Sequence, residues 1–548
     1  MEEEQVHEVH EVHEGREVDE LHEVLSELAE RLRARWPVPG LAISVVDGAG
    51  ESAFVTAGCA NEESGTPVSR RTRFEIGSVS KTFTAFLLGV LADEGKVDLD
   101  AAVADHLPWF APNGGSRAIT VRHLLRHTSG LVAGADALPD AAARGHALRG
   151  ARTWAEPGEL FHYSNEGYNL LGLIVEQVTG EPLADAMAGR LLRPLGMDDS
   201  AARITYEDLP ELATGYRFLR HDRPPLPSAR LAPAGFFEYS SADGNVLATA
   251  SDLGRFARML LGRGTLDGTR IIGPERFRQI VTLPADEAGP GYALGVDVET
   301  VEGHTWLTHA GGMVGYRSYL ACDTDGGHGV AVLTNAPGEC QIIDRFARHV
   351  LAVVQGAPAD PALFDPERVP DARRYVGIHG TAPRQIRVEA TGEDRLSLTS
   401  DGVSGSLYDT GDGRLVCDHP QWSAYHHSLD GHWLYGPESL GRSQDPAPGA
   451  PTPPRHALTG HYRSYTPWYP GFTVVQRAGR LHMIAATGVE APCDEPELVP
   501  LDDGTFRIGA DPRLPERLTA GPAPDGAVLW VDVDGCRYTR SFRERPES

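Results

Sequence analysis

Apolar residues at Leu21, Leu25, Leu28 and Leu32 recur at the spacing of one helix face, so an amphipathic helix is expected from Val18 to just before Pro37. The period then changes. Leu41–Val46 and Ser52–Ala57 flank Asp47-Gly48-Ala49-Gly50 and predict a β-hairpin. Thr82 to Ala92 is apolar almost all round, which predicts a helix buried over most of its surface. Helical pattern returns at Val121–Leu125, Gly167–Val178, Leu183–Leu192, Ser251–Leu261 and Pro274–Ile280. Strand pattern resumes at Thr305–His309, Tyr316–Cys322 and Val330–Thr334, ahead of a helix over Glu339–Val354. This order predicts one α/β (α+β) domain whose sheet is closed by its two ends. A helical subdomain is inserted, and a cleft lies between the two parts.

Past that domain the texture is all-β. Asp-Gly pairs at 401–402, 412–413, 430–431, 503–504, 525–526 and 534–535 sit between strand-like runs and are hairpin signals. Two stretches also match each other. Tyr375-Val-Gly-Ile-His-Gly380 aligns with Leu458-Thr-Gly-His-Tyr-Arg463, and Ile386…Leu396 aligns with Phe472…Leu481. We read two related small antiparallel β-barrels or half-barrels. The expected division is a polar extension at 1–16, the α/β domain at 17–356 and a linker at 357–370. A β module at 371–443, a Pro-rich linker at 444–456 and a second β module at 457–545 complete it. The Glu-Val-His run holding His7, His10 and His13 reads as a solvated helix extension, with nothing nearby to complete a metal-ligand set.

Composition narrows the partners. A formal net charge of −27 over 548 residues disfavours nucleic acid and anionic membranes. No run is long and apolar enough to span a bilayer, and the first forty residues show no export signal, so a cytoplasmic location is expected. Six scattered cysteines without C-x-x-C spacing point to free thiols, not to zinc or a disulfide framework. No motif implies a metal or cofactor.

Candidate chemistry begins with a rarity. The chain carries 50 basic side chains of the lysine and arginine type but only two lysines, one of them Lys81 in Ser78-Val79-Ser80-Lys81. Arginine cannot lose its proton, whereas a buried lysine can and can then help deprotonate a neighbouring hydroxyl. Ser78 follows Phe74-Glu-Ile-Gly77 and opens the apolar helix, where the dipole favours an alkoxide and burial among Phe83, Phe86 and Leu87 favours a neutral amine. Tyr163 and Asn165 end a loop just before a helix, placed to exchange protons with Ser78 and to hold Lys81 or a substrate amide. His309-Ala310-Gly311-Gly312 lies at a strand end, where the glycines would let a substrate lie against the strand and the Gly312 N–H could meet an oxyanion. Arg317, on the following strand, is a candidate anchor for a substrate carboxylate.

Together, Ser78-x-x-Lys81, Tyr163-x-Asn165 and His309-x-Gly311 resemble the serine β-lactamase and penicillin-binding-protein superfamily in its class C-like branch. The texts His123-Leu-Leu-Arg-His-Thr-Ser-Gly-Leu131, Tyr168-Asn-Leu-Leu-Gly172 and Pro194-Leu-Gly-Met-Asp198 are similar too, over about residues 20 to 355. The resemblance implies a β-lactamase-like catalytic domain followed by lipocalin-like barrels. It also implies acylation of Ser78, Lys81 and Tyr163 as the base system, and an oxyanion hole from the Ser78 and Gly312 N–H groups. β-Lactamases of this branch carry Lys-Thr-Gly at the third motif, and the histidine here resembles DD-carboxypeptidases and D-aminopeptidases. The three-domain layout of D-aminopeptidases would bring a barrel loop to the site, and Tyr465-Thr-Pro-Trp-Tyr-Pro-Gly-Phe472 is a candidate for it.

The implied function is a serine hydrolase acting on amide, peptide or ester substrates, with a small molecule or peptide as partner. An acyltransferase or stand-alone peptide cyclase using the same acyl-enzyme stays open, as does a catalytically silent binding or sensor protein.

Overall fold

The structure of the protein, a computed structural model, describes residues 20–113, 116–131, 141–220, 222–284, 291–360, 364–442, 456–464, 471–485, 495–533 and 536–540. The run with His7, His10 and His13, Cys493, the Pro-rich segment 445–454 and residues 465–470 of the candidate barrel loop lie outside the described residues.

Helix α1 spans 20–35 and leads into β1 (Gly40–Asp47), β2 (Glu51–Asn61) and β3 (Thr66–Pro67). Asp47 closes the β1–β2 turn, its Oδ1 accepting the N–H of Ala49 at 2.6 Å and of Gly50 at 3.0 Å. Next come helices α2 (Ser80–Asp93), α3 (Asn165–Thr179) and α4 (Ala250–Leu261). The domain ends with β4 (Asp297–Val301), β5 (His304–Met313), β6 (Tyr316–Asp323), β7 (His328–Thr334) and helix α5 (Ile342–Val354). These seven strands form one antiparallel sheet in the order β4-β5-β6-β7-β1-β2-β3. The first and last long strands therefore lie side by side, with Leu41 opposite Thr334 and Val45 opposite Val330.

Both faces of the sheet are covered. Leu41, Ile43 and Val45 pack with Leu25, Leu28 and Leu32 of α1 and with Phe346 and Val350 of α5. Ala42 and Val46 point the other way, into a core with Phe83 and Phe86 of α2 and Phe256 of α4. Double-sided burial is why β1 reads as a continuous apolar run and not as an alternation. Each α1 leucine contributes at most about 1.5–3 kcal/mol.

Three boundaries differ from expectation. Turn hydrogen bonds from Cys340 N–H to Pro337 O and from Gln341 N–H to Glu339 O delay α5 until Ile342. The helix at Leu183–Met187 passes into a wider π turn at Ala188–Leu192. Strand β5 runs on to Met313, so Gly311 and Gly312 are strand residues.

Eight antiparallel strands from Gly377–Thr381 to Glu438–Leu440 form the first C-terminal sheet. It is brought nearly to closure by the His379–Arg442 bridge and by Gly380 N–H donating to Gly441 O at 2.7 Å. Eight more, from Gly460–Arg463 to Cys536–Arg540, close completely. The internal sequence match follows strand order. Gly377–Thr381, Arg384–Ala390 and Leu396–Ser400 hold the places that Gly460–Arg463, Gly471–Arg477 and Arg480–Ala485 hold in the second barrel. Trp36 Nε1–H donates to Phe364 O at 2.8 Å, tying the segment after the catalytic domain back onto it.

Candidate active site

A three-residue 3₁₀ turn, Gly77–Val79, carries Ser78 directly into α2. Gly77 is required there, because its φ is +51° and a Cβ would sit 2.6 Å from Gly312 O. One turn further on, Lys81 is fully buried, and its Nζ donates to Ser78 Oγ at 3.0 Å and to Asp243 O at 3.0 Å. The phenylalanines expected to enclose the amine face elsewhere: Phe83 stacks on Phe256 at 4.0 Å and Phe86 meets it edge-on at 5.7 Å. Tyr163 and Tyr168 surround the amine instead, with Nζ 4.8 Å and 5.6 Å from their ring centres.

The polar residues of the otherwise apolar α2 organise this floor. Ser80 Oγ accepts the Val246 N–H at 3.0 Å, and Thr84 Oγ1 donates to Ala242 O at 2.7 Å. These bonds lay Ala242–Val246 along the helix and present the Asp243 carbonyl to Lys81. Thr82 Oγ1 similarly donates to Gly295 O at 2.7 Å, holding the segment that carries Tyr292.

Ser164 caps α3, its Oγ accepting the Gly167 N–H at 3.1 Å, so Asn165 is the first helical residue and not the cap. The cap holds Tyr163 at the helix mouth, half-buried like Ser78 and Asn165. Around it lie His127 at 4.2 Å and Tyr292 at 6.4 Å between ring centres. Burial holds His127 well below the ordinary histidine range, the Lys81 charge adding to the effect, and burial pushes Tyr168 and Tyr292 well above the usual phenol value.

His309, on β5, is buried with both ring nitrogens engaged. Nδ1–H donates to Ala310 O at 2.7 Å, and Nε2 faces the Tyr292 hydroxyl at 3.1 Å. Burial lowers its pKa to about 3, so the ring is neutral. Pairing of β4 with β5 runs from Asp297–Thr308 to Val301–His304, so His309–Met313 run past the β4 ladder beside the Ser78 turn.

Two expectations are corrected here. Gly311 does not open room for a substrate, because Ile76 O already occupies it, 2.0 Å from where a Cβ would stand. Arg317 is not available as a carboxylate anchor. Its guanidinium grips Asp344 of α5 fork to fork, with Nε 2.8 Å from Oδ1 and a second bond from Nη2 to Oδ2, while Nη1 donates to Gly338 O at 3.2 Å.

The sequence reading missed His127, Tyr168, Asp243 and Tyr292. The available signals were the family-like stretches that hold His127 and Tyr168, and the polar set Ser80, Thr82 and Thr84 inside a helix buried all round, which implies buried partners. The expected approach of a barrel to this region is made, among the described residues, by Glu516 and Arg517 of the second barrel. His162, beside Tyr163, hydrogen-bonds Glu516, and the Arg517 guanidinium lies 4.1 Å over the Trp154 ring.

Comparisons with known proteins agree with this geometry. The family described as Beta-lactamase matches residues 25–352. Penicillin-binding protein 4 of Amycolatopsis lactamdurans is 32% identical over 387 residues, covering 66% of this chain and 97% of that protein. Among solved structures, the octameric penicillin-binding protein homologue from Pyrococcus abyssi shares the fold at a TM-score of 0.58 and 24% identity, covering 84% of this chain and 97% of that one. The D-amino acid amidase from Ochrobactrum anthropi SV3 shares it at 0.53 and 23%, covering 62% and 100%. A serine and a buried lysine joined one helical turn apart, on a fold and a sequence both matched across the catalytic domain, place the chain in the β-lactamase family, as a serine hydrolase.

Proposed function

We propose that the protein forms an acyl-enzyme on Ser78 and hydrolyses amides, small peptides or esters. The observation that carries this reading is the 3.0 Å bond between Ser78 Oγ and the Nζ of a lysine shut off from solvent. Lys81 and Tyr163 act as the base system, with Asn165 two residues beyond Tyr163 at the start of α3. The N–H groups of Ser78 and Gly312 receive the oxyanion. In support, the backbone nitrogen of Gly312 lies 2.9 Å from where a Gly77 Cβ would stand, next to the nucleophile turn.

The third motif directs the substrate class. His309 is buried and neutral and Arg317 is held by Asp344, so neither offers a free positive charge to a substrate carboxylate. Neutral acyl groups suit such a strand better than the anionic acids of β-lactam antibiotics.

The test is intact-protein mass spectrometry of wild type and Ser78→Ala after exposure to activated esters, D-aminoacyl amides, peptidyl thioesters and a β-lactam. An adduct on wild type that Ser78→Ala lacks is expected, with esters or amides reacting faster than the β-lactam. Shortening of the adduct's lifetime by an added amine would assign acyl transfer in place of hydrolysis. No adduct from any donor on the folded protein would overturn the proposal.

A further inference from the structure

We infer that the segment His127-Thr128-Ser129-Gly130 is the template that sets the position of Tyr163, with His127 as a positioning residue. This rests on the reading above, in which Tyr163 belongs to the base system.

The loop leading to Tyr163 is laid along this segment. Backbone carbonyls of Gly130, Thr128 and His127 accept, in turn, the N–H of Trp154 at 3.0 Å, of Gly158 at 2.8 Å and of His162 at 2.7 Å. The ladder ends at the residue before Tyr163, and the His127 side chain takes over. Its Nδ1 accepts the Ser164 N–H at 3.0 Å, and its ring lies against the Tyr163 ring at 4.2 Å and 31°. Tyr163 is thereby gripped on its N-terminal side, on its C-terminal side and on its ring face by one residue.

The local backbone is built for this. His127 follows the short helix Val121–Leu125 with φ +57°, a left-handed conformation that among non-glycine residues asparagine, aspartate and histidine adopt most readily, and it is buried. That geometry turns its carbonyl and its ring toward the same loop. Gly130, at φ +72°, leaves space that Ala155 O fills, 2.3 Å from where a Cβ would stand. Because Nδ1 accepts a hydrogen bond, the neutral ring carries its proton on Nε2. A phenol displaced by even about 1 Å from a nucleophile is expected to cost on the order of 100-fold in rate, so a template at this point has a catalytic consequence.

The experiment compares His127→Ala, His127→Phe and His127→Asn in the full-length chain. Asparagine keeps an acceptor near the place of Nδ1 and tolerates the left-handed backbone. Phenylalanine keeps the ring and loses the acceptor. Using p-nitrophenyl acetate, kcat is expected to fall about 100-fold in the alanine and phenylalanine variants with KM within about twofold, and the asparagine variant to recover to within about tenfold of wild type. In a Tyr163→Phe background, His127→Ala should add little further loss, since the group it positions is already gone.

A folded His127→Ala that turns over at the wild-type rate would overturn the inference, as would a full additional loss in the Tyr163→Phe background. If alanine prevents folding, the asparagine against phenylalanine comparison decides in the same way. A crystal structure of His127→Asn and His127→Phe separates this idea from the catalytic reading. Tyr163 should stay in place in the first and shift in the second even if wild type is never acylated, and an unmoved Tyr163 in both would sink the template.

Discussion

Gly311→Ala tests whether strand β5 fixes Ser78, the proposed nucleophile. In the wild type, Ser318 Oγ–H donates to Ile76 O at 2.7 Å, and that carbonyl lies 2.0 Å from where the new methyl would stand, with Ser318 Oγ at 2.3 Å. An ordinary contact needs about 3.4 Å, so the strand and the Gly77–Val79 turn must part by about 1.4 Å. The obstacle is a backbone oxygen, so no side-chain rotation relieves it. Overpacking costs about 1–3 kcal/mol and the weakened Ser318 hydrogen bond about 1 kcal/mol more, giving an expected loss of roughly 2–4 kcal/mol in stability. Moving Ser78 away from Gly312 by about 1 Å or more should slow acylation on the order of 100-fold, equivalent to about 2.7 kcal/mol. Gly312→Ala is the control for stability alone, because its methyl would meet Gly338 O at 3.3 Å and Arg317 Nη1 at 3.4 Å, distances that small adjustments accommodate. Single-turnover acylation of Gly311→Ala and urea unfolding of the two variants provide the readout. A Gly311→Ala protein that acylates within about threefold of wild type at an unchanged unfolding midpoint would show that this contact does not position Ser78.

Three further outcomes are expected. Arg317→Ala should destabilise by about 3 kcal/mol in urea unfolding, because it strands the Asp344 carboxylate in a largely buried place, while the preference between carboxylate-bearing and neutral substrates stays the same; a changed preference would restore Arg317 as an anchor. Burial raises the Glu75 carboxyl from an ordinary 4.5 to about 8. Relative to the unfolded chain, its contribution to stability is intact below pH 4.5 and lost progressively as pH rises through 8. Glu75→Gln should therefore match wild type in melting temperature at pH 4 and exceed it by several degrees at pH 8.5, and equal melting temperatures at both would count against a buried neutral carboxyl. Finally, Glu516→Ala with Arg517→Ala removes two links between the second barrel and the loop ahead of Tyr163, so calorimetry should resolve a separate barrel transition that wild type lacks; a single unchanged transition would show that the barrel is held by other contacts.

Whatever depended on short-range pattern was legible in the chain. The leucine spacing of α1, the Asp47–Gly50 hairpin and the Ser78–Lys81 pair each bring their residues together within a turn or two, so sequence spacing nearly equals spatial spacing. The doubled β module was readable for the same reason, since its Asp-Gly turns and strand patterns repeat locally. Partners supplied from far along the chain were not legible. Phe83 and Phe86 were expected around Lys81, but helical geometry points them to α4, and Tyr163 and Tyr168 cover the amine from more than eighty residues away. Arg317 looked like an anchor for a substrate carboxylate until α5 brought Asp344 against it, and Gly311 looked like space for a substrate until Ile76 filled it. A helix or a turn is decided by its own residues, because its hydrogen bonds close within a few positions. The enclosure of a lysine, the pairing of an arginine and the support of a tyrosine depend on which distant segments the sheet and helices press together, and only the packed structure decides that.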